Sequence, residues 1–71
     1  MLRRHHHLPD ISAGPRYYRR DVPKIVWQAY AAYEGRDGLP HVMLFNVSDP
    51  TSRKTLSEFT LEHSGLYKHS A

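Results

Sequence analysis

Cysteine is missing from all 71 residues of the sequence, and its absence excludes disulfide bonds and thiolate zinc sites. A chain this short usually needs such a support or a partner, because a single core of its size is barely large enough to be stable. Long apolar runs are also missing. No stretch approaches the roughly 18–20 residues that cross a bilayer, and no apolar run follows the basic N-terminus as in a secretory signal. The sequence therefore predicts one small, soluble, cytoplasmic domain that does not enter membranes.

Motifs that carry catalysis are missing as well. The sequence has no Gly-x-Ser-x-Gly turn, no His-Glu-x-x-His helix and no phosphate-binding glycine loop. Asp37 and Asp49 stand beside glycine and proline, where they are better explained as turn residues than as catalytic acids. A domain this small also has little room for a pocket that encloses a substrate. We therefore expect a protein that is not an enzyme, has no cofactor and takes no small-molecule substrate.

Histidine is present at six positions but forms no metal-ligand pattern. His5, His6 and His7 are adjacent, whereas a metal ion needs three or four ligands that a fold brings together. The other three histidines fall at unrelated positions: His41, His63 and His69. The sequence predicts no metal site.

The net charge of +3 lies entirely in the first third of the chain. Residues 1–23 contain five arginines against two aspartates, and the remaining charges cancel. The same stretch contains Pro9, Pro15 and Pro23, which interrupt helix and sheet periodicity, and few large aliphatic residues. We therefore predict a flexible basic arm over residues 1–22, with Tyr17 and Tyr18 as candidates for docking on the domain. The folded domain is predicted over residues 23–71.

The segment 24–33 supports two interpretations. Alanines, Asp21 as a cap and Gly35 at the end favour a helix, whereas alternation and β-branched residues favour a strand. The neighbouring segment 41–47 is short and apolar, as expected for a strand, and it needs a partner for its backbone groups. The intervening GRDGLP supplies turn residues. We therefore predict an antiparallel hairpin, followed by a type I turn at Asp49–Pro50 and a third strand over 53–56.

The C-terminal part carries the signals of a short helix over 58–64. Ser57 can cap it, Glu58 favours its first turn, and Leu56 can pack on Leu61. Gly65 falls where a left-handed residue ends a helix, and the LYKH that follows is a last strand or an extended tail. The predicted fold is mainly β. It is a small SH3-like barrel or meander of three to four antiparallel strands with one short helix near the C-terminus.

The run DGLPHVMLFNVSDPTSRKTLSEFTL, with LY after it, resembles short uncharacterised bacterial proteins that share the pattern DGLPH…L.NV.DP…KTLS…L…LY. The resemblance covers residues 24–67. It implies an SH3-like fold and carries no catalytic or binding motif.

Two sets of residues are candidates for binding. One combines guanidinium groups with aromatic rings, as nucleic-acid backbones and exposed bases require. Its members are Arg16, Tyr17, Tyr18, Arg19, Arg20, Arg53 and Lys54. The alternatives for this set are a solubilising tail or a segment that wraps on a protein partner.

The second set follows from the apolar character of both faces of the strand 41–47, since a small sheet has one core. We expect Trp27, Phe45 and Phe59 in the core, and strand alternation places Tyr30 and Tyr33 on opposite faces. The predicted partner-binding patch comprises Tyr30, Tyr33, Val42 and Leu44. Together these features predict a non-catalytic binding module, either a protein-interaction module or the small subunit of an assembly, that binds a protein partner or a second copy of itself. The alternative is a nucleic-acid-associated protein that uses its arm.

Overall fold

The computed structural model describes residues 14–70, which form five strands and one helix. The elements are β1 (Arg16–Arg19), β2 (Val22–Glu34), β3 (Pro40–Asn46), β4 (Asp49–Ser57), α1 (Glu58–His63) and β5 (Tyr67–His69). All neighbouring strands pair antiparallel in one sheet of order β4-β3-β2-β1-β5. A mainly β fold with one short C-terminal helix, as the sequence predicts, is confirmed.

The predicted hairpin is formed by β2 and β3, so the strand interpretation of residues 24–33 is the right one. Its loop closes through hydrogen bonds from the Gly35 amide to the Leu39 carbonyl at 2.8 Å and from the Gly38 amide to the Gly35 carbonyl at 2.9 Å. Gly38 has φ 79, which a side chain would disfavour. The Asp37 carboxylate accepts from the Leu39 amide at 2.9 Å, and Asp37 is thus a turn residue.

The turn between β3 and β4 lies three residues earlier than predicted, at residues 46–49 instead of 49–52. Asn46 pairs with Asp49, which leaves Val47 and Ser48 as the turn. The Asn46 side chain accepts from the Ser48 amide at 2.8 Å, a local contact that stabilises this turn and that the prediction overlooked. Pro50 therefore lies within β4, an edge strand, where a residue without an amide donor is tolerated.

The predicted boundary of the arm at residue 22 is wrong, because β1 is an inner strand of the sheet. Tyr17 lies opposite Trp27 of β2 on one side and His69 of β5 on the other. Only 3% of the Tyr17 side chain is exposed, so this residue is part of the core. The burial of one large ring and two sets of strand hydrogen bonds outweigh the polar composition that suggested an arm. Residues 1–13, the remainder of the predicted arm, lie outside the described residues.

Both ends of α1 match their sequence signals. The Ser57 hydroxyl accepts from the Thr60 amide at 3.1 Å, and Gly65 after the helix has φ 82. Leu61 points inward and is 2% exposed, while Phe59 is 64% exposed. The prediction of Phe59 in the core is wrong, because residues two positions apart point to opposite sides of a helix. Within residues 14–70, no helix is long and apolar enough to cross a membrane.

The core lies on one face of the sheet, beneath α1. Its buried members are Tyr17, Ala29, Val42, Leu44, Leu61 and Tyr67, with Trp27 and Leu56 packed against them. Val42 and Leu44 are 1% and 0% exposed, so their assignment to a partner-binding patch is wrong. The helix covers the face of β3 that these two residues share, and the opposite face of the same strand is left open.

Candidate functional site: the outer face of the sheet

The face of the sheet opposite α1 carries a row of side chains across four strands. Phe45 lies opposite Gln28 of β2 and opposite Arg53 of β4, and Gln28 lies opposite Arg16 of β1. Since Leu44 points into the core, its neighbour Phe45 must point to the other side. The prediction of Phe45 in the core is therefore wrong, because strand alternation places it on the face that α1 does not cover. We call this side the outer face. Its principal residues are Arg16, Gln28, Tyr30, Tyr33, His41, Met43, Phe45 and Arg53.

A bulge at Tyr30 brings both tyrosines of β2 to the outer face. Ala29 lies opposite Leu44 and Ala31 opposite Met43, so Tyr30 has no partner on β3. One extra residue reverses the alternation of everything that follows it in the strand. The Tyr30 ring lies 5.8 Å from the ring of Phe45, centroid to centroid.

Tyr33 lies on the same face because of this bulge. Its ring stacks on the ring of His41 at 5.4 Å with an interplanar angle of 15°. The prediction that Tyr30 and Tyr33 occupy opposite faces is therefore wrong, and the two rings belong to one surface. Tyr30 is 36% and Tyr33 45% exposed, so both can contact another molecule.

A shallow groove of about 230 Å³ opens on the outer face near the start of β4. Tyr30, Phe45, Pro50 and Arg53 line it. The guanidinium carbon of Arg53 lies 5.5 Å from the centroid of the Tyr30 ring, within the range of a cation–π contact. The Arg53 Nε donates to the Pro50 carbonyl at 3.3 Å. The groove thus joins two aromatic rings to a positioned cation.

A second arginine stands at the other end of the row. Arg16 donates through Nε to the side-chain oxygen of Gln28 at 2.8 Å, and Gln28 donates to the Gly14 carbonyl at 2.9 Å. Three strand spacings separate Arg16 from Arg53, which corresponds to about 14 Å between their backbones. The outer face is therefore aromatic in the middle and basic at both sides.

Two residues of the predicted nucleic-acid set, Tyr17 and Lys54, point into the core face instead. The Lys54 Nζ donates to the Tyr67 hydroxyl at 2.7 Å and lies 4.0 Å from the centroid of the Trp27 ring. Lys54 lies opposite the buried Leu44, which fixes this orientation. Because Lys54 belongs to β4 and Tyr67 to β5, the contact joins the two edge strands across the core. Its role is structural, and it is removed from the candidate binding surface.

The other members of that set are divided between two places. The Arg19 Nε pairs with the Asp21 carboxylate at 2.9 Å, and Arg20 donates through Nη1 to the Gly65 carbonyl at 3.2 Å. Arg20 and Asp21 border a cleft of about 330 Å³ beside Gly65. Tyr18 is half-buried at the level of Val26. Tyr18 follows the buried Tyr17 in β1 and therefore points to the same side as Arg16. Of the seven predicted residues, the structure thus brings Arg16, Tyr18 and Arg53 to the outer face.

A polar cluster fastens α1 to the sheet. The Tyr17 hydroxyl donates to Glu62 Oε2 at 2.7 Å, and Glu62 Oε1 lies 3.0 Å from His69 Nε2. Burial, then the hydrogen bond to the Glu62 carboxylate, raises the pKa of Tyr17. Burial would raise the pKa of Glu62 too, but the hydrogen bonds with His69 and Tyr17 and the charges of His69 and His63 lower it overall. Each carboxylate oxygen already has a partner, so the cluster is a structural clamp.

The described histidines do not converge. His41 lies against Tyr33, His63 against Phe59, and His69 against Tyr17. No group of three or more potential metal-ligating side chains occurs in the part of the chain that the structure describes, residues 14–70. His5, His6 and His7 lie outside the described residues.

Comparison with protein-family models, with curated proteins and with solved structures finds no match to this chain. The resemblance to short bacterial proteins with an SH3-like fold therefore stays a prediction. Function has to be inferred from the chemistry of the outer face. Of the residues on this face, sequence reasoning proposed Arg16, Tyr18, Tyr30, Tyr33 and Arg53 for binding and missed Met43, Pro50 and Gln28. Met43 carried a usable signal, because it alternates with the two buried residues of β3.

Proposed function

We propose that this chain is a non-catalytic binding module that holds a protein partner on its outer face. The observation that supports the proposal is the groove, in which the rings of Tyr30 and Phe45 and the guanidinium of Arg53 open to one side of the sheet. The outer face is not part of the core, because α1 covers the opposite face of the sheet, where the only core of the described residues lies. Packing of the domain therefore does not account for the rings on the outer face. Exposed aromatic rings beside an arginine are the side chains that contribute most to protein interfaces.

The chemistry of the groove defines the segment that it would bind. An apolar side chain or a proline ring would pack against the paired rings of Tyr30 and Phe45, as extended peptides do on aromatic grooves. A carboxylate one or two residues away would pair with Arg53, whose planar guanidinium suits two hydrogen bonds to one carboxylate. The proposed partner therefore presents an extended segment in which an apolar residue stands beside an acidic one.

Nucleic acid is the second candidate ligand, and the observation that favours it is the pair of arginines in one row. Arg16 and Arg53 flank the rings of the outer face, and single-stranded nucleic acids bind where bases can stack between phosphate-pairing cations. Such binding weakens steeply as salt rises, because released counterions drive it. Binding through the apolar groove depends far less on salt.

The test is capture of partners from the cells in which the protein occurs, with the tagged full-length chain. We expect a protein that stays bound through nuclease treatment and high salt, and Tyr30→Ala should weaken its capture about tenfold or more. Phe59→Ala is the matched control, because it removes an exposed ring from α1 on the other side of the sheet. Circular dichroism would establish that both variants keep the fold.

Three results would contradict the proposal. Capture that Tyr30→Ala leaves unchanged would exclude the groove, and equal losses in Tyr30→Ala and Phe59→Ala would indicate non-specific adhesion. Material that disappears with nuclease and with salt would favour nucleic acid over a protein partner.

A further inference from the structure

Strand β4 forms one edge of the sheet, and among the described residues no strand lies beyond it. An edge strand leaves every second residue with an amide and a carbonyl that no neighbouring strand pairs. The opposite edge, β5, has three residues and offers little backbone for pairing. The longer edge, β4, is therefore the place where another strand can join the sheet.

The hydrogen bonds of the hairpin determine which residues of β4 face this free side. The Gly35 amide donates to the Leu39 carbonyl at 2.8 Å, and alternate residues of an antiparallel strand direct their backbone groups to the same neighbour. Leu39 and the odd-numbered residues of β3 therefore pair with β2, and the even-numbered residues of β3 pair with β4. In the regular part of β4, residues 53–57, the even-numbered residues lie opposite them. The amides and carbonyls of Arg53 and Thr55 consequently point to the free side.

Arg53 determines the charge of a segment that fits this edge. Its side chain lies on the outer face, and within residues 14–70 it forms no ion pair. A strand antiparallel to β4 would place one residue directly opposite Arg53, with its side chain on the same face. A carboxylate at that position would pair with the guanidinium. Since β4 has no acidic residue after Asp49, a second copy of this edge would bring only cations to the contact.

The binding groove lies beside the same residue. Pro50 and Arg53 of β4 form its side nearest the edge of the sheet. An antiparallel strand would run from the Ser57 end of β4 toward Pro50. Its residue two positions after the carboxylate would again face outward, on the Pro50 side of Arg53. An apolar side chain at that position would lie against the groove.

We propose that the partner binds as an additional strand, antiparallel to β4 and hydrogen-bonded to the backbone of Arg53 and Thr55. An acidic residue of the partner lies opposite Arg53, and an apolar residue two positions later covers the groove. The inference rests on the proposed function, because it uses the same groove, and it adds the conformation, direction and residue order of the bound segment. Backbone pairing at the edge supplies affinity, and the alternate side chains supply specificity.

The experiment is an NMR titration with amide hydrogen exchange on the isotope-labelled full-length protein. The probe is a short threonine-rich peptide with blocked ends, in which a leucine stands two positions after a single aspartate. In the free protein we expect fast exchange at Arg53 and Thr55 and slow exchange at Lys54 and Leu56, whose amides pair with β3. The bound peptide should slow exchange at Arg53 and Thr55 by about tenfold or more.

N-methylation of the peptide separates backbone pairing from side-chain contacts. The amide of the aspartate would point to β4, and the amide of the residue before it would point away. A methyl group on the first should weaken binding about tenfold or more, whereas a methyl group on the second, the matched control, should leave binding nearly unchanged. Thr55→Pro removes a donor from the free side without removing one from the pairing with β3, so it should weaken binding of the unmethylated peptide to a similar extent.

The inference would be overturned by unchanged exchange at Arg53 and Thr55 when peptide is present at millimolar concentration, or by equal effects of the two methyl groups. Protection of these amides in the free protein that grows with protein concentration would also overturn it, since a second copy would then occupy the edge. None of these results bears on the proposed function, which fails separately if Tyr30→Ala leaves partner capture unchanged.

Discussion

Gly65 offers the cleanest test of backbone conformation in this fold. It follows α1 with φ 82, and a Cβ built there has no atom within 4 Å outside its chain neighbours. Gly65→Ala therefore adds a methyl group to open space, and packing neither opposes nor rewards the change. What remains is the cost of a left-handed conformation for a residue with a side chain, about 1–2 kcal/mol.

The expected result is a loss of about 1–2 kcal/mol in the free energy of unfolding, partly reduced because alanine also restricts the unfolded chain. For a domain of this size each kcal/mol lowers the midpoint of thermal unfolding by about 4–8 °C. The assay is thermal and urea unfolding followed by circular dichroism. Gly65→Asn is the control, since asparagine tolerates the left-handed region and should recover part of the loss.

The reasoning would be refuted by a neutral Gly65→Ala, or by an asparagine variant no more stable than the alanine variant. The first result would mean that Gly65 does not hold a positive φ in solution. The second would place the cost elsewhere than in backbone conformation.

Two further predictions concern the core and the clamp on α1. Leu44→Ala should lower the free energy of unfolding by about 2–5 kcal/mol, because it opens a cavity at a residue with 0% exposure. Tyr33→Ala on the outer face should change the free energy of unfolding by no more than about 0.5 kcal/mol. Similar losses for the two variants in urea titrations would contradict the assignment of faces. The pKa of Glu62 is lower in the folded protein than its unfolded value of 4.5. Its ionised carboxylate therefore contributes fully to the free energy of unfolding above the unfolded pKa, and this contribution is lost as the pH falls through the folded pKa. Glu62→Gln should therefore destabilise the protein at pH 7, and the difference from the unmodified protein should shrink steadily as the pH is lowered below 4.5. A deficit that persists undiminished in acid would show that the carboxylate charge is not responsible.

Local signals in the sequence were sufficient for the parts of the fold that depend on neighbouring residues. The hairpin of β2 and β3, the Ser57 cap and the left-handed Gly65 each follow from the chemistry of a few adjacent positions. These features are local because the hydrogen bonds that make them close over two to five residues.

The parts that could not be predicted depend on distant contacts. Strand β1 has the composition of a tail, and only its pairing with β2 and β5 shows that Tyr17 belongs in the core. The bulge at Tyr30 has no glycine or other signal of its own, yet it decides which tyrosines share a face. The candidate set for nucleic acid failed for the same reason, since Lys54 follows Arg53 in sequence and points to the opposite side of β4.

The exposed rings of the outer face carry a cost in free energy that a bound partner would remove. A sheet packed on one side by a helix of six residues leaves a second side that water must solvate, and Phe45 and Met43 are poorly suited to that environment. Charged residues at both ends of the row keep the face soluble but do not remove the cost of exposed rings. A partner segment that fills the groove would bury the rings of Tyr30 and Phe45 and so remove that cost.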